Sequence, residues 1–150
     1  MNGYLVDTSV ISLTSPGRRL VSSAFAQWLE EQGALGRLYI PAMALAELER
    51  GIAKLHRMGG IARAAELRSW LDTLVAVFAG KLIDVDEKIA RAAGRLDDAL
   101  TAIGRNPGMA DVVIGATANL HGLTLLTAND RHFVDMPIAV INPNAGVLPT

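Results

Sequence analysis

Residues 109–130, MADVVIGATANLHGLTLLTAND, change periodicity partway along. From Met109 to His121 apolar and small residues recur at helical spacing, and Gly122 supplies the stop that a left-handed cap position favours. Thr124-Leu125-Leu126 is then the short apolar run of a buried strand. Working outward, the same alternation repeats. Strands are expected at 4–6, 38–40, 81–83, 124–126 and 139–141. Leu20, Val21, Ala24, Phe25, Trp28 and Leu29 form one face of a helix that ends near Gly33. Leu45, Leu48, Ile52 and Leu55 do so for a second helix, which ends before Gly59-Gly60. Further helices are expected over 61–78 and over 86–103, the latter with Asp86 as N-cap. Asn106-Pro107-Gly108 reads as a turn, and the tail from Asn142 is expected along the surface. Strands separated by one or two helices predict an α/β fold, a three-layer sandwich whose short, mostly parallel central sheet is flanked by helices.

The chain has 150 residues, the size of one compact domain, and neither repeats nor a linker divide it. It is 51% hydrophobic and 19% charged, against a charged fraction of roughly 25% in ordinary globular chains, which excludes intrinsic disorder. The apolar surplus predicts burial against a partner. With 14 Lys+Arg and 15 Asp+Glu, the net charge of −1 gives no global attraction to a polyanion, so a nucleic acid would be held by local charge or metal. The absence of cysteine removes disulfides, thiolate metal sites and cysteine nucleophiles, and is compatible with a reducing compartment. The first dozen residues carry Asp7 within the apolar stretch and do not read as a signal peptide. No apolar run approaches the ~18 residues of a membrane span. A cytoplasmic protein with no membrane partner is the expectation.

In a parallel α/β sheet the ligand crevice lies at the carboxyl ends of the strands, which directs attention to four acids. Asp7 ends the first strand and is followed by Thr8 and Ser9; an ordinary helix cap explains it as well. Asp111 heads a face on which Ile114, Gly115 and Ala118 lie within about 60° of it. That face should be buried, so a carboxylate there must be protonated, hydrogen-bonded, matched by a cation, or satisfied by the helix dipole. Glu47 lies roughly opposite the apolar face of its helix, with Arg50, Lys54 and Arg57 on its own side. That stripe is either a solvated face or a track for a phosphodiester backbone. Five basic residues, Arg50, Lys54, Arg57, Arg63 and Arg68, face one acid, Glu66, over 50–68. Asp130 follows the fourth strand, where a turn or cap role is equally open.

Three or four carboxylates meeting at the strand ends would repel one another unless a hard divalent cation sits among them. Mg²⁺ or Mn²⁺ fits best, since both prefer oxygen ligands. Such a site favours phosphoryl chemistry, with the metal polarising phosphate and water and an acid orienting that water. Other constellations are poor. His56, His121 and His132 lack metal-cluster spacing, Gly59-Gly60 is not followed by a P-loop signature, and Ser9 with a distant His makes no triad.

LVDTSV at the start, PAMALAELERGI, the stretch quoted first and the closing VINP together resemble the PIN-domain family, within it the VapC and FitB-like toxins of bacterial toxin–antitoxin pairs. The match spans nearly the whole chain in the right order. The resemblance implies a PIN-like fold and a Mg²⁺-dependent ribonuclease acting on single-stranded RNA. It implies that Asp7 and Asp111 are the principal metal ligands, that Glu47 is the third acid, and that Thr8, Thr127 and Asn129 give polar support. Many relatives read Thr-x-Asn-x-x-Asp-Phe, whereas His132 stands here at the usual acid and Asp130 lies two positions earlier as a candidate replacement. A one-metal site on Asp7 and Asp111 is therefore the expectation. A cognate antitoxin and a homodimer formed through the early helices are also implied. Two other readings compete: a metal-assisted phosphatase or receiver-like domain phosphorylated on Asp7, and a binding module that keeps the acids without chemistry.

Overall fold

The computed structural model describes residues 2–18, 22–146 and 148–149. Five short strands, β1 (Tyr4–Val6), β2 (Leu38–Pro41), β3 (Leu82–Ile83), β4 (Thr124–Leu126) and β5 (Val140–Ile141), make one sheet in the order β3-β2-β1-β4-β5. Every pairing is parallel, with Leu5 registered on Tyr39 to one side and on Leu125 to the other. The chain builds outward from β1 in one direction, then crosses back and builds in the other. The order therefore reverses between β1 and β4, the place where such sheets open a crevice at their carboxyl ends.

Both faces of the sheet are covered, which is why its strands read as unbroken apolar runs rather than alternating ones. Successive side chains still point to opposite faces. Leu5, Leu125 and Ile83 enter a core with Ile89, Leu100, Val112 and Ile114, while Val6, Leu126, Leu38 and Ile40 enter another with Phe25, Trp28, Leu48 and Leu71. The first core lies under α5 (Glu87–Ala102) and α6 (Met109–His121). The second lies under α1 (Thr8–Ile11), α2 (Ser23–Ala34), α3 (Ala42–Arg57) and α4 (Ile61–Val77). The expected three-layer sandwich is what forms, with all five strands parallel. Among the described residues no helix is long and apolar enough to cross a membrane.

The helix bounds follow local chemistry. Ser22 and Asp86 cap α2 and α5 by accepting the amides of Phe25 and Ile89. Leu20 and Val21, read as the start of α2, lie outside the described residues. The turn α1 is too short to leave a periodic signal, and only the cap reading of Asp7 anticipates a helix there. The tail from Asn142 is held down more firmly than expected of a surface segment: Pro143 is buried, Leu148 packs on the second core, and Trp28 Nε1 donates to Pro149 O at 3.2 Å.

The helix that matters most for the site is α6. Its residues from Val112 to Ala118 are all buried, so the helix is enclosed except at its ends. Thr117 is tolerated inside because its hydroxyl donates to Val113 O at 2.7 Å. Gly115 leaves room for the Met136 sulfur, which a Cβ there would overlap. At the far end Gly122 turns the chain into β4 with φ 61°, and Leu123 N closes the cap on Ala118 O.

Two glycine substitutions should move stability in opposite directions. Gly122→Ala forces a Cβ into the left-handed region and should cost about 1 kcal/mol, a fall in Tm of about 2–4 °C. Gly94→Ala, mid-helix in α5 where a Cβ meets nothing within 4 Å, should raise stability by about 0.5–1 kcal/mol. Thermal denaturation of the two variants checks both signs.

Candidate active site

Asp7 leaves the end of β1 in an extended conformation, and its backbone opens α1 by accepting the amides of Val10 and Ile11. Its side chain makes no capping bond. The carboxylate turns inward instead, 3% exposed, and Oδ2 accepts from Thr127 Oγ1 at 2.7 Å and from Ser9 Oγ at 2.9 Å. A buried carboxylate is expensive unless hydrogen-bonded, and these two hydroxyls meet that requirement on one oxygen. No donor among the described residues reaches Oδ1. Thr127 is the first residue past β4, so this bond ties the neighbouring strands together where the sheet order reverses. The hydroxyls are themselves held: Ser9 Oγ accepts Ala128 N at 3.0 Å, and Thr127 Oγ1 accepts Asn129 N at 3.0 Å. Ser9 is the contributor that sequence reasoning passed over. As a residue it suits a helix cap or a nucleophile, and its position two residues past a strand-end acid is the signal for the role it has.

Glu47 comes from the second turn of α3. The helix packs against α1 and α6, so the side expected to be solvated is half-buried at Glu47 and exposed only at Arg50, Lys54 and Arg57. Thr8 Oγ1 donates to Glu47 Oε1 at 2.7 Å. Burial pushes the Glu47 carboxyl above its ordinary range, the charges of Asp7 and Asp111 push the same way, and the Thr8 bond and Arg50 offset part of this. Asp111 sits in the first turn of α6, one residue before the enclosed run, where the helix reaches the strand ends. Burial raises its carboxyl too, with Asp7 adding to the effect, while His132 opposes it by charge and by an Nδ1 to Oδ2 contact of 3.0 Å. Asp7, Glu47 and Asp111, separated by up to 104 positions along the chain, therefore lie within electrostatic reach of one another.

The other candidates fall at the rim. Asp130 opens a 3₁₀ turn, Asp130–Phe133, and its Oδ1 accepts Asn142 Nδ2 at 3.2 Å; it is not among the charges acting on Glu47 or Asp111. Asn129 precedes that turn and uses its backbone amide on Thr127. The five basic residues of 50–68 divide. Arg63 and Arg68 are tied to Glu66 and Glu49, whereas Arg50, Lys54 and Arg57 line a shallow exposed recess.

Among the described residues, no three His, Cys, Asp or Glu side chains close on one point tightly enough to encage an ion. The donor set is nevertheless all carboxylate oxygen, with one oxygen of Asp7 left open and two carboxyls raised partly by their neighbours' charge. That chemistry fits a hard cation that keeps several of its waters and takes one or two carboxylates directly.

Comparison with known proteins identifies the family. Residues 4–139 match the PIN domain family model. The chain is 30% identical over 139 residues to Toxin FitB of Neisseria gonorrhoeae, covering 93% of this chain and 96% of that protein. It is 28% identical over 142 residues to the VapC ribonuclease Y4jK of Sinorhizobium fredii, with the same coverage. The crystal structure of FitAcB from Neisseria gonorrhoeae superposes with a TM-score of 0.78 at 31% identity, covering 93% of this chain and 97% of that one. The parallel sheet, its crevice and the family match lead to one conclusion: the chain belongs to the PIN-domain family.

Proposed function

We propose that the chain is a divalent-metal-dependent ribonuclease, the toxin of a toxin–antitoxin pair. The observation that carries this reading is the approach of Asp7, Glu47 and Asp111 from three separate elements, with charge repulsion between them. Its support from relatives is that one is named a toxin and another a VapC ribonuclease. Asp7 and Asp111 would hold Mg²⁺, with Mn²⁺ an alternative. When bound, such an ion polarises a phosphate oxygen and lowers the pKa of water in its shell.

The chain's own groups do the rest. Ser9 and Thr127 hold Asp7 by Oδ2, which leaves Oδ1 for the ion. Thr8 holds Glu47 by Oε1, which leaves Oε2 to orient the attacking water and accept its proton; a carboxyl raised by burial is a better base for this. Water adds to phosphorus, the P–O ester bond breaks, the leaving oxygen takes a proton from solvent to become a hydroxyl, and a phosphomonoester remains on the other fragment. Arg50, Lys54 and Arg57 would hold backbone phosphates on the α3 side. Asp130 would contribute only at the outer edge. A cognate antitoxin that covers the crevice is the proposed protein partner. The exposed Leu35, Met58, Ile61 and Val77, at the ends of α2, α3 and α4, suit a homodimer through the early helices.

A second reading, a binding module without chemistry, is favoured by the His132 contact that occupies Asp111 Oδ2. Incubation with structured RNA, in Mg²⁺ and then in excess EDTA, separates the two. We expect cleavage in Mg²⁺, none in EDTA, and a loss of at least about 100-fold in Asp7→Asn and Asp111→Asn. Tight RNA binding without cleavage would establish the module; cleavage that survives EDTA or Asp7→Asn would sink the metal mechanism.

Stability offers a test independent of turnover. A carboxyl whose folded-state pKa is raised contributes stability that is present below its unfolded value and lost as pH rises through the folded value. Glu47→Gln keeps an acceptor for Thr8 and removes the repelled charge. In EDTA the variant should melt above the wild type, by an amount that widens as pH rises above the ordinary glutamate value of 4.5. Added Mg²⁺ should raise the wild-type Tm more than the variant's. A wild type that is the more stable at every pH and indifferent to Mg²⁺ would remove the case for a shared cation.

A further inference from the structure

A recess of about 250 Å³ adjoins the acids through His132, which lines it while touching Asp111. Its other polar walls are Arg105 and Asn106, from the loop before α6, and Arg131. No carboxylate lines it. Two guanidiniums and an imidazole thus face one small space that the hydrolytic mechanism above does not use.

The two arginines differ in how they are held. Arg131 makes no hydrogen bond or ion pair with any described residue. Arg105 donates from Nε to Asp135 Oδ2 at 3.0 Å, which leaves both of its terminal nitrogens without a protein partner among the described residues. Asp135 is the one non-glycine among the described residues with positive φ, at 69°. Left-handed backbone costs an ordinary residue about 1 kcal/mol or more, and such strain persists where the surroundings demand a particular placement. Here the effect is to hold the Arg105 fork by its back edge. The acids beside the recess are Asp135 on Arg105 and Asp111 on His132, which leaves Arg131 as its uncompensated charge among the described residues.

We propose that this recess binds an internal phosphodiester of the RNA strand, neighbouring the one that is cleaved. The inference rests on the RNA reading above and adds to it a second point of backbone contact. Arg50, Lys54 and Arg57 stand on the helix that carries Glu47, and Arg105 and Arg131 line the recess whose His132 touches Asp111. A strand crossing the acids would therefore meet guanidiniums on both sides, which would fix its register over the crevice. Planar guanidiniums suit this role because they present paired donors to phosphate oxygens.

The test uses the full chain in EDTA, where nothing is cleaved, and a fluorescent single-stranded oligoribonucleotide followed by anisotropy across a salt series. Arg131→Gln should weaken binding about tenfold, the worth of one charge-assisted hydrogen bond, and flatten the slope of log affinity against log salt by about 0.7. Arg131→Lys should recover part of the loss. In a set of oligonucleotides each carrying one neutral methylphosphonate, one position should weaken the wild type by a similar factor and leave Arg131→Gln unaffected. Wild-type affinity unchanged by Arg131→Gln, or a methylphosphonate effect of equal size in both proteins, overturns the subsite. So does Arg131-dependent binding of a polyglutamate peptide in place of RNA. Cleavage assays keep the two claims apart. Mg²⁺-dependent cleavage with an unaltered KM in Arg131→Gln removes the subsite alone; Arg131-dependent binding with no cleavage in Mg²⁺ removes the nuclease alone.

Discussion

The hydrogen bond from Thr127 to Asp7 joins the two central strands at the one place where the sheet changes direction. Parallel strands leave their carboxyl ends open there, and an acid in that opening is cut off from bulk water by the helices on both faces. With Ser9 as a second donor, one oxygen of Asp7 is satisfied from within the fold and the other has no donor among the described residues. The remaining acids are arranged around this fixed point. Glu47 arrives on a helix that begins directly after β2, and Asp111 on a helix that ends just before β4.

That arrangement is electrostatically unfavourable by itself. Burial and like charge act together on Glu47 and Asp111, and the fold offsets them with single contacts, Thr8 on one and His132 on the other. Folding energy is thus spent on holding acids close, a cost that a structural role does not require and a cation would relieve. The same reasoning separates these acids from the exposed ion pairs elsewhere. Arg91 with Glu87, and Arg68 with Glu49, are solvated pairs that add little to stability and create no such tension.

The surface around the crevice divides by chemistry. Arg63 and Arg68 are engaged with acids of their own, and Arg63 also donates to Pro16 O, so two of the five cations in that basic run serve the packing of α4. Arg50, Lys54 and Arg57 are exposed and face outward along α3. A net charge near zero for the whole chain thus conceals a local positive stripe beside a negative centre.

Much of the architecture was legible in the residues. Five apolar runs bounded by helical periods specify a parallel sheet because only strands covered on both faces lose their polar alternation, and Gly122 marks the end of α6 because a left-handed cap suits glycine. Asp7 and Asp111 stood out because each interrupts or heads an apolar face. What the residues did not reveal were contacts with no local signature. The four-residue turn α1 spans barely one period, Ser9 and Thr127 are 118 positions apart, and the meeting of His132 with Asp111 depends on how a 3₁₀ turn after β4 packs on α6. Sequence alone determined which elements form, since propensity, capping and hydrophobic period act within a few residues. The tertiary structure decided which acids share a crevice and which hydroxyl meets which carboxylate, because those distances are set by the order in which strands pair, and pairing order leaves no mark on local composition.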